Sequence, residues 1–187
     1  MRGTGPFLFC AALLAVAPAY AKEELLPLDP LRSEAEFQVR VMWLFPVEGR
    51  FGHVEGEVSI DRDARLARVR AEIDASKVEM RRDDYVTWVK SAEFFDVARH
   101  PRIRFESAPF PLSLLDDGGD IIGDLTLRGE THATHFNIDP SSCEAGTPDC
   151  PVYANGTIPR SEFGMKSHRG TLSDKVKLYF TIFVAKG

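Results

Sequence analysis

The sequence predicts an all-β fold: an eight-stranded antiparallel barrel with one or two short helices, at about 83–98, capping or flanking it. Three observations carry that expectation. Apolar and polar residues alternate with a period of two along most of the chain, as in strands with one buried face. The alternating runs are joined mostly by short turns, which makes their neighbours antiparallel. One stretch, Arg81 to Pro101, interrupts the alternation with helical spacing. Eight such strands suit a closed up-and-down barrel, which exposes no sheet edge. A barrel of that size either fills itself with side chains or holds one small ligand. A β-sandwich would show the same alternation and is the alternative architecture.

Lys22 to Arg32 reads as an extended lead-in. From Ala35 the odd positions are apolar: Phe37, Val39, Val41, Trp43 and Phe45 share a face, and Glu36, Gln38, Arg40 and Met42 lie opposite. Pro46 and Gly49 mark a bend. A second strand runs from about Phe51 to Ile60 and turns Val54, Gly56 and Val58 to one side. Asp61-Arg62-Asp63 turns the chain, and a third strand places Ala67, Val69, Ala71 and Ile73 inside. Arg102 to Phe110 resumes the alternation with Ile103 and Phe105. After the Asp116–Asp120 turn, Ile121, Gly123, Leu125 and Leu127 share a face. Gly129-Glu130 leads tightly into Thr131–Ile138, where Phe136 and Ile138 face with His132 and Thr134. Val152–Ile158 follows. The last strand is the clearest, with Val176, Leu178, Phe180, Ile182 and Val184 alternating against polar neighbours. The small inward residues Ala67, Ala71, Gly123, Ala154 and Gly156 predict space inside.

In the interrupting stretch, Tyr85, Val86, Trp88 and Val89 fall at helical spacing, with Asp83 or Asp84 placed to cap. Ser91 offers a second cap before Phe94, Phe95 and Val97, and Pro101 stops the run. This segment predicts either a crossover covering a sheet edge or a plug over the end of an apolar barrel.

Residues 1–21 read as a secretory signal peptide: Arg2, an apolar run from Phe7 to Ala17, and the small-x-small site Ala19-Tyr20-Ala21. Cleavage there would leave residues 22–187 as a single domain carrying 22 basic and 28 acidic residues. Without a basic block, nucleic acid is not an expected partner. Cys143 and Cys150 remain, in an exported chain, flanking a Gly- and Pro-containing loop. They predict a structural disulfide.

Catalytic patterns are missing from the sequence. His132 and His135, three apart on a strand, point to opposite faces, so no shared metal is expected. There is no HExxH, GxSxG, P-loop or GxGxxG motif. No enzyme and no cofactor is expected. Arg82, Asp83 and Arg160 are the candidate head-group contacts at a cavity mouth. The alternative for them is an Arg–Asp pair pinning the helix to the rim.

Four segments in order resemble the YceI-like family of polyisoprenoid-binding proteins. They are Ser33-Glu34-Ala35-Glu36-Phe37; Arg82-Asp83 with Ser91-Ala92-Glu93-Phe94-Phe95-Asp96 and His100-Pro101; Leu125 to Thr131; and Arg160-Ser161-Glu162-Phe163-Gly164-Met165. The resemblance implies a lipocalin-like barrel in the periplasm that encloses an isoprenoid lipid, polyprenyl or quinone-like, without catalysis. It leaves room for a dimer and for transient membrane contact during loading. The expected apolar tube is built from Phe37, Val39, Val41 and Trp43, then Val58, Val69 and Ile73. Tyr85, Trp88, Phe94 and Phe95 join from the helical stretch, and Ile103, Phe105, Leu125, Leu127, Phe136, Phe163, Leu178, Phe180 and Ile182 complete it. Two competing readings are a small outer-membrane barrel and an enzyme on a lipocalin-like scaffold acting on an apolar substrate.

Overall fold

The computed structural model describes residues 23–186, so residues 1–21, read above as a signal peptide, lie outside the described residues. The chain forms β1 (Glu24–Pro27), β2 (Glu34–Val41), β3 (Phe45–Phe51), β4 (Glu55–Asp61), β5 (Leu66–Asp74) and β6 (Glu79–Met80). Helix α1 (Asp83–Lys90) follows, then β7 (Arg102–Ser107), β8 (Phe110–Pro111) and the one-turn α2 (Leu114–Asp117). Four long strands complete it: β9 (Gly119–Leu127), β10 (Glu130–Ile138), β11 (Val152–Pro159) and β12 (Leu172–Ile182).

All pairings are antiparallel in one curled sheet, ordered β1-β4-β5-β7-β9-β10-β11-β12-β2-β3-β6, with β8 added beside β5. Among the described residues the ladder does not run from β3 and β6 back to β1 and β4, so the barrel is curled but incompletely closed. The C-terminal tail straps one end, where Asp29 N–H donates to the Phe183 carbonyl (2.7 Å) and Ala185 N–H to that of Pro27 (2.8 Å).

The all-β class holds, with nine strands of six residues or more where eight were expected. The ninth is β3. The expected bend at Pro46 and Gly49 does not occur; the chain instead reverses at Met42–Leu44, and β3 pairs back along β2 from Val41↔Phe45 to Ala35↔Phe51. A second helix after Ser91 also fails to form. Asp96 adopts a positive φ of 48°, which ends helical geometry, and residues 91–99 form turns. Neither aspartate caps α1: Arg82 occupies the N-cap position, and no side chain bonds the first turn there.

The core runs through the curl. Phe37, Phe51 and Phe95 pack with centroids 5.7–5.9 Å apart, which ties β2 and β3 to the turns after α1. On the opposite wall Phe136 meets Phe105 and Phe180 edge-on at 5.1 and 5.2 Å. Such tilted and edge-on contacts suit the ring quadrupole. Outward positions carry charge: Arg70 pairs with Glu106 and Glu57, and Arg104 with Glu72.

Candidate functional site

The inward faces of the strands enclose an apolar cavity of about 290 Å³, near the lower end of ligand-pocket sizes. Period-two alternation aims every second side chain of β2, β4, β5, β7, β9, β10, β11 and β12 at this space. Phe37, Val39 and Val41 line it from β2, Val58 from β4, and Val69, Ala71 and Ile73 from β5. Ile103 and Phe105, Leu125 and Leu127, Phe136, and Leu178, Phe180 and Ile182 continue the wall. The helical stretch adds Tyr85, Trp88, Phe94 and Phe95. Val47 and Met80, absent from the sequence-based tube, also line it; they belong to β3 and the two-residue β6, which the alternation did not separate. The exposed wall positions include Trp88 and Thr171, with Tyr85, Val41 and Val47 half-buried beside them, so this end is the mouth.

Two expected tube residues lie elsewhere. Trp43 sits at the tip of the β2–β3 reversal and is 64% exposed. Phe163 is buried, at 1% exposure, but is not part of the cavity lining; it packs edge-on at 5.0 Å against His132, which lies in phase with the inward residues of β10.

The inward glycines do not simply leave room. A side chain at Gly123 would meet the Phe105 ring at 2.5 Å, and one at Gly156 would meet Phe136 at 2.5 Å. Gly49 lies under the Phe37 ring in the same way. The glycines let these rings lie flat on the sheet, and Ala71 and Ala154 contribute the small wall positions.

The three head-group candidates separate. Arg160 touches the wall, yet its guanidinium is already engaged: Nε donates to the Ser173 carbonyl (2.9 Å), Nη1 to Met165 (2.5 Å) and Nη2 to Leu172 (3.3 Å). The Leu172 and Ser173 carbonyls fall where β12 slips register against β2 between Leu172 and Val176, and the Met165 carbonyl lies in the connection before β12, so Arg160 satisfies groups that the ladder leaves over. Burial lowers its pKa from the ordinary arginine value. Arg82 and Asp83 are exposed and off the wall. Arg82 pairs with Asp84 (2.6 Å), not Asp83, and lies over the Tyr85 ring at 4.8 Å. The pair is local to the start of α1 and does not pin the helix to the rim.

Beside the mouth, Glu93 accepts from Trp88 Nε1 (3.2 Å) and is bonded to His168 Nε2 (3.1 Å). These bonds, His168 first, hold the Glu93 carboxyl below its ordinary pKa. At another part of the wall, Cys150 is disulfide-bonded to Cys143. The Asp116 carboxylate accepts from Ala145 N–H (3.1 Å), tying this loop to α2. Among the described residues, no group of three or more His, Cys, Asp or Glu is placed to hold a metal.

Compared with known proteins, residues 27–184 match the YceI-like domain. The chain belongs to the YceI-like family. A UPF0312 protein of Pseudomonas aeruginosa (strain LESB58) is 24% identical over 179 residues, covering 92% of this chain and 91% of that protein. One from Staphylococcus aureus is 25% identical, covering 80% and 87%. Among solved structures, Burkholderia cenocepacia BcnA superposes with a TM-score of 0.72 at 19% identity, covering 85% of this chain and 99% of that one. A polyisoprenoid binding domain from Saccharophagus degradans gives 0.61 at 16% identity, covering 86% and 98%. At these identities the solved structures establish the shared fold of this YceI-like chain.

Proposed function

We propose that this YceI-like protein binds and carries a long apolar isoprenoid lipid, polyprenyl or quinone-like, in the periplasm, without catalysing a reaction on it. The observation that carries the reading is the cavity wall, which is apolar along nearly its whole length. An isoprenoid tail is insoluble because each methylene left in water costs about 0.8 kcal/mol, and a dry apolar tube recovers that free energy with few polar contacts. The family match and the similarity to a polyisoprenoid binding domain support the same cargo.

Recognition in this reading rests on the tail. Arg160 is committed to backbone carbonyls, so the hydroxyls nearest the mouth, Tyr85 and Thr171, are the available head-group partners. The charged outer face, with Arg70–Glu106 and Arg104–Glu72 pairs, argues against a lipid-embedded barrel, whose exterior must be apolar.

The test is to extract the purified mature protein with organic solvent and identify the lipids by mass spectrometry. Near-stoichiometric isoprenoid is the expected result. An empty extract from folded protein that also fails to bind added quinones and polyprenols would overturn the reading.

A further inference from the structure

We infer that the β2–β3 reversal is a membrane-docking tip that seats the cavity mouth on an anionic bilayer surface; the inference rests on reading the cavity as a lipid site. Four consecutive apolar residues are turned into solvent there: Met42 at 60% exposure, Trp43, Leu44 at 75% and Phe45 at 62%. A hairpin reversal ordinarily carries polar residues and glycine. Here Leu44 N–H closes the turn on the Val41 carbonyl (3.2 Å), and the two central residues, Met42 and Trp43, have φ of 49° and 65°. Positive φ at both central positions is the geometry that Asn-Gly adopts with ease and that branched or bulky side chains resist. The β9–β10 turn meets the same demand with Arg128-Gly129. Strain and apolar exposure therefore coincide on the same residues, and neither helps the isolated fold.

The surroundings say what covers the tip. Arg40 lies on β2 just before it, and Lys166 and Arg169 lie in the connection to β12, which touches the tip through Met42 N–H to the Thr171 carbonyl (2.6 Å). All three cations are exposed, and none forms an ion pair among the described residues. The nearby acids Glu48, Glu93 and Asp174 accept hydrogen bonds from Gln38, from Trp88 and His168, and from Ser161, contacts that leave their charge in place. Exposed tryptophan and phenylalanine with unpaired cations on the adjoining segments suit an element that lies in the headgroup boundary of anionic lipid. The tip also adjoins the mouth directly, because Val41, Val47 and Thr171 belong to the cavity wall. A docked tip would open the cavity toward the bilayer, so an apolar cargo need not cross water.

The experiment uses the mature protein with phosphatidylcholine vesicles, with and without phosphatidylglycerol, read by flotation. Comparison with Trp43→Phe separates the Trp43 signal from that of Trp88, the other of the chain's two tryptophans. The expected result is partition onto the phosphatidylglycerol vesicles, with a blue shift of Trp43 emission and its quenching by bromine-labelled lipid. Combining Leu44→Ser with Phe45→Ser should weaken partition by more than about tenfold, because interfacial binding scales with apolar area. Arg40→Gln with Arg169→Gln should remove the preference for anionic vesicles. Leu44 and Phe45 are off the wall, so solvent-extracted cavity lipid reads the cargo separately and should stay unchanged. Three outcomes would overturn the docking while leaving the cavity reading intact: folded, lipid-loaded protein that ignores both vesicles; partition without any change at Trp43; or a vesicle-free dimer that L44S/F45S dissolves, which would assign the tip to a second copy.

Discussion

Replacing Arg160 separates a structural arginine from a ligand contact. In Arg160→Met the stem still packs, but the carbonyls of Met165, Ser173 and Leu172 lose their donor inside a site that is 2% exposed. A buried acceptor without a partner costs about 1–3 kcal/mol, and part of the total is returned because the guanidinium no longer has to be desolvated. The net expectation is a loss of about 3–5 kcal/mol, a large share of a typical stability of about 5–15 kcal/mol. With a urea m-value of about 2 kcal/mol/M, the unfolding midpoint should fall by roughly 2 M. Arg160→Lys keeps the charge but cannot serve three carbonyls spread over two segments, so it should recover only part of the loss. Urea titration followed by tryptophan fluorescence measures both. A midpoint within about 0.3 M of wild type, together with weakened lipid binding, would refute the structural role and return Arg160 to head-group recognition.

Phe180→Asp, which replaces a wall ring whose centroid lies 5.2 Å from that of Phe136 with a carboxylate, should empty the cavity or unfold the chain. Unchanged lipid in a folded variant would remove Phe180 from the site, and Ala154→Leu provides a milder version that narrows the lumen without adding charge. Replacing both Cys143 and Cys150 by serine frees a seven-residue separation and should cost roughly 2.5 kcal/mol on the chain-entropy model. The corresponding fall in Tm is roughly 5–10 °C by calorimetry. Glu93 is held below its ordinary pKa in the folded state, so its contribution is fully present above the unfolded carboxylate value near about 4.3 and is lost as pH falls through the lower folded one. Glu93→Gln should therefore flatten the acid side of the stability profile; an unchanged slope would show that the His168 and Trp88 bonds contribute nothing there.

The strands from Leu66 to Asp74 and from Gly119 to Ile138 were legible because alternation and turn chemistry agree in them. The region around Trp43 was not. Trp43 and Phe45 continue the apolar phase of β2 straight through the reversal, which holds no Gly, Asn or Asp to announce it. The expected helix after Ser91 had a cap and apolar spacing, yet both cues are local, and the packing of Phe95 between Phe37 and Phe51 overrides them. Most of the cavity wall followed from strand faces alone. The role of Arg160 did not, since its partners are backbone carbonyls: Met165 in the following loop, and Leu172 and Ser173 at a register slip about a dozen residues away. Phe163 entered the expected tube with the Arg160–Met165 segment of the resemblance; it packs against His132 from the turns beyond β11, off the cavity lining, where no two-residue period indicates a direction.

The flat phenylalanines over Gly49, Gly123 and Gly156 make the gauge of the passage a property of pairs. Enlarging the glycine alone drives a side chain into a ring, and trimming the ring alone leaves a void that costs stability. Either first step is disfavoured, so the two positions of each pair are coupled. A lineage with this architecture would hold its bore constant under single mutations and change it only in coordinated steps, which makes passage width a slowly evolving trait even where the surrounding sequence diverges.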